Sequence, residues 1–271
     1  MFSEYLRRWD LTPDGHPILT NSSRLLPVCR RGMPAMLKVA VCSEERRGNA
    51  VMTWWDGVGA ALVLEHDDDA LLLERAHETP SLAGLAANAN DDEAIRVACE
   101  VIAGLHTPRA APPPSVVPLS QWFAPLTAAS RVHGGILPCS AVAATELLSS
   151  AQDDVVLHGD VHHGNILHFG KRGWLAIDPK GLSGERGFDY ANLFCNPSHA
   201  IAANPDRFAR RIAIVTDAAA LDRKRLLQWI LAWGGLSAAW MLEDGLPPST
   251  ALEVARMAAA ELDRMGDCAA S

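Results

Sequence analysis

Leu157-His158-Gly159-Asp160-Val161-His162-His163-Gly164-Asn165-Ile166-Leu167, followed by Ile177-Asp178-Pro179, is the stretch on which the fold reading turns. Val155 to Leu157, Asn165 to Phe169 and Trp174 to Ile177 read as short strands, and the tight turn Gly170-Lys171-Arg172-Gly173 joins the last two into a hairpin. Asp160 precedes Asn165 by five residues, and Asp178 ends the second strand of the hairpin. Strand–turn–strand geometry brings Asn165 and Asp178 to one end of that hairpin, where two oxygen ligands can share a cation. Singly, an Asp or an Asn in a loop is an ordinary cap or turn residue. The spacing and the flanking strands make the combination specific.

Working outward, the first 75 residues are β-rich. Apolar runs at 16–20 and 24–29 flank the turn Asn21-Ser22-Ser23, Met36 to Val41 is a further strand after Arg31-Gly32, and a helix runs from about Glu44 to Trp55, ending near Gly57. Ala60 to Glu65 and Ala70 to Glu74 are strands joined by Asp67-Asp68-Asp69. Thr79 to Asn90 is small and polar, Ile95, Ala98, Val101, Ile102 and Leu105 have helical spacing, and Pro108 to Pro118 is a proline-rich loop. Arg131 to Pro138 breaks a second helical region, and the chain is helical after residue 205, with Thr250 and Glu253 as a capping box for the last helix. The expected class is α+β, with a small β-rich lobe over residues 1–76 and a larger, mostly helical lobe over 77–271.

Composition excludes several classes. Hydrophobic residues make up 49% and charged residues 21% of the 271, as in a globular protein. A net charge of −8 with no long Lys/Arg run speaks against nucleic acid as a partner and mildly favours a cationic ligand. Cys29, Cys42, Cys99, Cys139, Cys195 and Cys268 form no C-x-x-C pair, so free thiols in a reducing cytosol are expected. Met1 to Asp10 lacks the apolar core of a secretory signal. Leu226 to Leu242, the most apolar stretch, is shorter than the ~20 residues that span a bilayer and reads as a buried helix. A cytoplasmic monomer without a membrane partner is expected.

Phosphoryl transfer from ATP needs a carboxylate to orient the attacking hydroxyl and accept its proton, and hard oxygen ligands to hold magnesium on the phosphates. Asp160 suits the first role; Asn165 and Asp178 suit the second. The motif His158-Gly-Asp160-x-His162-x-x-Asn165 with Ile177-Asp178-Pro179 resembles the aminoglycoside phosphotransferases, which share the protein-kinase-like bilobal fold. Gly184-Glu-Arg-Gly-Phe-Asp189-Tyr-Ala191 is similar to the segment that follows the metal aspartate in that family. Pro34 to Ala40, Thr53 to Gly57, Gly173 to Pro179 and Gly235 to Trp240 are similar to the streptomycin 6-phosphotransferases, with hydroxyurea phosphotransferases sharing the general pattern.

That resemblance implies ATP and Mg2+ as cofactors. Lys38, flanked by Leu37 and Val39, would pair the α- and β-phosphates, with Glu45 or Glu44 on the next helix as its partner. Backbone groups of Glu74 and Ala76 would meet adenine. Ser22 and Ser23 would stand where protein kinases carry a glycine-rich loop. Asp189 would be structural, and His158 a packed core histidine. The implied activity is resistance by phosphorylation of the 6-hydroxyl on the streptidine ring of streptomycin, with hydroxyurea or another small hydroxyl compound as the alternative. Streptomycin carries two guanidinium groups, so its pocket calls for carboxylates and aromatic faces. Asp160, His162, Glu185, Glu243 and Asp244 are the candidate acceptor residues, with His163 adjacent; Glu243 and Asp244 read equally as a solvated helix end. Two rival readings are a metal-dependent hydrolase built on His158, Asp160, His162 and His163, and an inactive nucleotide-binding scaffold.

Overall fold

Alternation along two long strands sets up the N-terminal lobe. In β3 (Ser23–Arg30) and β4 (Met33–Ala40), Leu26, Val28, Ala35, Leu37 and Val39 are buried together with Ala70 and Leu72 of β6 (Ala70–Glu74). They pack under Tyr5 and Trp9, on and just after the short helix α1 (Ser3–Arg8). With period two along a strand, Lys38 faces the other way, as do Leu71 and Leu73. Leu71 and Leu73 share a core with Val51, Met52 and Trp55 of helix α2 (Ser43–Trp55). The sheet is antiparallel in the order β1-β3-β4-β6-β5, where β1 is Leu11–Pro13 and β5 is Val63–His66; β2 (Ile18–Leu19) pairs with β3. The computed structural model describes residues 2–88 and 90–269, with side chains to residue 266.

The second lobe is helical. Helices α3 (Leu82–Ala87), α4 (Asp91–Leu105), α5 (Leu119–Trp122), α6 (Ala124–Val132) and α7 (Leu137–Ser149) precede the Leu157–Leu167 stretch, with strand β7 (Val117–Pro118) ahead of α5. Then come β8 (Asp154–Leu157), the hairpin β9 (Ile166–His168) and β10 (Trp174–Ala176), and β11 (Leu182–Glu185). Strand β11 lies between β8, antiparallel with Leu182 opposite Leu157, and β7, parallel. Helices α8 (Phe188–Ala191), α9 (His199–Ala202), α10 (Pro205–Ala219), α11 (Arg223–Glu243) and α12 (Ser249–Ala269) complete the chain.

Helix α11 is the axis of this lobe. Leu226, Trp229, Ile230, Trp233 and Leu236 are buried on it. Phe188 of α8 meets Trp229 and Trp233 edge to face, at ring-centroid distances of 5.7 and 5.2 Å. The expectation that Leu226 to Leu242 is a core helix matches this element. Among the described residues, no helix is long and apolar enough to cross a membrane.

Two local expectations need correction. Thr79 to Asn90 contains α3, capped where the Ser81 hydroxyl accepts the Gly84 N–H at 3.1 Å; six residues with two buried side chains give too little periodicity to read. Strand β11 carries no local strand signal: Leu182 and Glu185 are buried with half-buried Ser183 and Gly184 between them, which is not the alternation of a strand. The tight turn expected at Gly170-Lys171-Arg172-Gly173 is present as a 3-10 turn over Gly170–Arg172. Thr250 does not cap the last helix: it lies inside the first turn, with its hydroxyl 3.1 Å from His199 Nδ1. Cys29, Cys42, Cys99, Cys139 and Cys195 carry free thiols; the Cys268 side chain lies outside the described ones.

Helices α4 and α10 are stapled by a buried ion pair. Arg211, 1% exposed, donates from Nε and an Nη to Asp91 at 2.9 and 2.6 Å, and from its other Nη to the carbonyls of Leu193 and Asn196 at 2.8 and 2.7 Å. Removing one member strands a buried charge. Arg211→Met is therefore expected to cost about 3–5 kcal/mol in urea denaturation, and adding Asp91→Leu to recover much of it.

Candidate active site

The catalytic stretch is held from beneath by one carboxylate. Asp189, fully buried on α8, accepts the backbone N–H groups of His158 and Gly159 at 2.9 and 2.8 Å and meets His106 Nε2 at 2.8 Å. Burial alone would raise its pKa; the hydrogen bond and charge of His106, with the backbone donors, hold it below the ordinary aspartate value. His158 is likewise a core residue. Its Nε2–H donates to the Ile177 carbonyl at 2.8 Å, and its Nδ1 accepts the Asp160 N–H at 3.2 Å. Burial depresses its pKa, so the ring is neutral.

Asp160 emerges half-buried from this platform. Asn192 donates Nδ2–H to its Oδ1 at 3.0 Å, and Asn165 donates to its main-chain carbonyl at 3.0 Å. Burial pushes the Asp160 carboxyl up to about 7, against the lowering pull of Lys180 and Asn192. Asn192 is itself gripped by the Asn196 amide, and the Asn196 carbonyl is held by Arg211. A continuous line of hydrogen bonds thus runs from the core pair Asp91–Arg211 to the Asp160 carboxylate.

Asn165 and Asp178 lie at the same end of the β9–β10 hairpin, where the Ile177 N–H bonds the Asn165 carbonyl at 2.9 Å. Asp178 sits in the left-handed region, φ 65°, which an aspartate tolerates better than most residues. Its carboxylate pairs with Lys38 Nζ, which also contacts Glu45 at 2.5 Å. Burial raises the Asp178 pKa, but the Lys38 charge and hydrogen bond outweigh it and the group lies below its ordinary value. Glu45, 2% exposed, takes the Lys38 partnership, whereas Glu44, one residue earlier, pairs with Lys180 at 3.2 Å.

The donor set fits magnesium. The Asn165 Nδ2 is spent on Asp160, leaving its amide oxygen as ligand beside the Asp178 carboxylate; two hard oxygen donors are typical when phosphates and water complete the shell. A histidine-rich centre fits poorly. His158 is bound to Ile177, and His163 is 2% exposed and turned into the core, so it does not reach the cleft. Among the described residues, no group of three or more His, Cys, Asp or Glu converges on a metal position.

A cleft of about 480 Å³ opens at Asp160. Glu44, His162, Lys180, Asn192, Trp233 and Trp240 are among its lining residues, with Trp122. The three tryptophans form a chain of edge-on contacts, Trp122–Trp240 at 5.6 Å and Trp233–Trp240 at 5.7 Å, anchored through Phe188 in the core. His162 lies 4.0 Å from Asp160 Oδ2, and burial lowers its pKa to about 4.

Several expected site residues lie elsewhere. Glu185 is not in the cleft: it is consumed by Arg225 and Trp229, at the end of β11 opposite Asp154, while the other end of β11 leads to the catalytic stretch. Glu243 and Asp244 are exposed at the end of α11 and do not line the cleft; the helix turns them outward beyond Trp240. The Ser23 hydroxyl donates to Glu45 at 2.7 Å inside the sheet–α2 interface, so it braces the Lys38 pair and does not face a ligand. Ser22 stays in the β2–β3 turn, its carbonyl holding the Val41 N–H. The Glu74 N–H is taken by the Leu62 carbonyl at 3.0 Å and so is not free to meet adenine. Ala76 follows in the connection to the second lobe, half-buried against the main core.

Residues 8–245 match the model of the aminoglycoside/hydroxyurea antibiotic resistance kinases. The chain belongs to this family. It is 48% identical to the streptomycin 3''-kinase of Klebsiella pneumoniae over 89% of this chain and 92% of that one. It is 32% identical to the streptomycin 6-kinase of Streptomyces griseus, over 94% and 85%. Among solved structures, the aminoglycoside phosphotransferase APH(4)-Ia, in a complex with ADP and hygromycin B, superposes with a TM-score of 0.65 at 14% identity, covering 96% and 97% of the two chains. The fold of this resistance-kinase chain is therefore the bilobal, protein-kinase-like one.

The kinase motif concealed a further requirement. Gly48 on α2 lies so close to Pro179 that a Cβ there would overlap its carbonyl oxygen. Gly48→Ala must push α2, and with it Glu44 and Glu45, off the Asp178–Lys180 segment. A loss of about 1–3 kcal/mol by thermal melting and a fall in phosphorylation rate are expected. Asn192→Ala removes a donor that favours the ionised Asp160. The Asp160 pKa should rise further, and because a base works only when ionised, the acid limb of kcat/KM should move to higher pH in a pH–rate profile.

Proposed function

We propose that the protein inactivates streptomycin by transferring the γ-phosphoryl group of ATP to one of its hydroxyls. The observation that carries this is the cleft at Asp160. It combines a carboxylate positioned as base with a second carboxylate, Glu44, and three tryptophan rings. Guanidinium groups are bound by carboxylates and ring faces, and the hydroxyls of an aminocyclitol or sugar meet amide and hydroxyl side chains such as Asn196 and Ser237. The likeness to streptomycin kinases supports the same acceptor. The higher identity to the 3''-kinase favours the 3''-hydroxyl, and the likeness to the 6-kinase keeps the 6-hydroxyl of streptidine as the second reading.

In this reading residues 1–76 bind ATP and residues 77–271 supply the base and the acceptor cleft. Adenine lies against the backbone of Glu74 and Ala76, and Lys38, steadied by Glu45, offsets the charge of the α- and β-phosphates. Asn165 and Asp178 would hold magnesium, which supplies charge compensation on the phosphate oxygens. Asp160 orients the acceptor hydroxyl and takes its proton as the new O–P bond forms. The bond from the γ-phosphorus to the β-bridging oxygen breaks, and ADP leaves.

The test incubates the purified protein with ATP, magnesium and streptomycin, and follows ADP release and the mass of the drug. A gain of one phosphoryl group is expected, with the phosphoester located by NMR. A parallel reaction with hydroxyurea should give no product; product there and none with streptomycin would overturn the acceptor. Asp160→Asn should lower turnover by about 10²–10⁴-fold with ATP affinity unchanged.

A further inference from the structure

The transferred phosphoryl group needs positive charge along its path to the acceptor, and the cleft offers one source. Lys38 is committed to Glu45 and Asp178 on the nucleotide side and does not line the cleft. His162 accepts the Gly164 N–H on Nδ1 at 3.0 Å, so its ring is not doubly protonated and carries no charge. Among the described residues, Lys180 is the one lysine or arginine that lines the cleft.

Its placement is fixed at both ends. The Lys180 N–H bonds the His158 carbonyl at 2.7 Å, which ties its backbone to the catalytic stretch. Its Cβ packs against Gly159: a methyl added there would come within 3.1 Å of it, so the lysine stem starts beside the residue that precedes Asp160. Its ammonium reaches 3.2 Å from Glu44 on α2. The side chain therefore reaches from the second lobe to α2 of the first, at the mouth of the cleft. Its partner Glu44 is about one-third exposed and makes this single ion pair, an attachment weak enough to exchange for a phosphate oxygen.

Resting on the phosphotransferase reading, we propose that Lys180 is a catalytic residue whose ammonium binds the γ-phosphoryl oxygens as the group passes to the acceptor, with Glu44 holding the ammonium when no nucleotide is bound. Lys180 then complements Lys38: one cation serves the phosphates that stay on the nucleotide, the other the phosphoryl group that leaves.

The test compares full-length wild type, Lys180→Met and Lys180→Arg, each checked by thermal melting. Lys180→Met should lower kcat by about 10²-fold, the cost of removing one preorganised donor at developing charge. It should weaken binding of the β,γ-imido analogue of ATP about tenfold while ADP affinity stays within about twofold, since ADP lacks the group contacted. These factors follow the usual worth of a charge-assisted contact. Lys180→Arg should regain at least about tenfold of the lost kcat. A Lys180→Met enzyme with kcat within about threefold of wild type, or with ADP and analogue affinities falling together, would overturn the assignment. The nucleotide comparison needs no acceptor, so it judges Lys180 even if wild type fails to phosphorylate streptomycin, a result that would remove the acceptor reading alone.

Discussion

Asp189 is a fully buried carboxylate that the catalytic stretch cannot do without. Ionised in the core, it requires donors, and it finds them in His158, Gly159 and His106. Those bonds hold the chain as it leaves β8, and that curvature aims Asp160 outward while His158 turns inward to Ile177. The arrangement is mutually enforcing. Without the two backbone donors the carboxylate would be stranded, and without the carboxylate two buried N–H groups would lack partners, at a cost of about 1–3 kcal/mol each.

From that anchor the site spreads in two directions. Toward the helical lobe, Asp91, Arg211, Asn196 and Asn192 pass positional constraint to the Asp160 carboxylate. Toward the sheet, the buried Lys38, Glu45 and Ser23 and the partly exposed Asp178 form one polar cluster that joins the lobes. Each line ends on a group with a shifted pKa. Asp160 is raised by burial and Asp178 is lowered by Lys38, opposite shifts that suit the proposed roles of base and metal ligand. Neighbouring carboxylates are thus set for different work by their surroundings.

Much of this was legible in the chain. The five-residue spacing of Asp160 and Asn165, and the hairpin ending at Asp178, are local features, and local geometry follows from local sequence. Lys38 was readable because strand alternation fixes which side it faces, whereas its partner stayed open between Glu44 and Glu45 until α2 was placed against the sheet. The illegible parts were those set by distant partners. Glu185 looked like an acceptor carboxylate, yet Arg225, forty residues away, consumes it. Ser23 looked like a phosphate ligand, yet it braces Glu45. Lys180, Asn192, Trp122 and Trp233 carry no motif of their own.

The sequence by itself determined the two-lobed class and singled out Lys38, Asp160, Asn165 and Asp178 as the residues of one site, because each rests on short-range spacing or on periodicity within one element. Only the tertiary structure decided the cleft at Asp160, since its walls come from α2, α5 and α11, from the 3-10 turn Asn192–Cys195 and from the loops around them. Which side chains remain free to meet a ligand depends on which are already hydrogen-bonded inside the protein. That depends on contacts between residues dozens of positions apart, which no local pattern encodes.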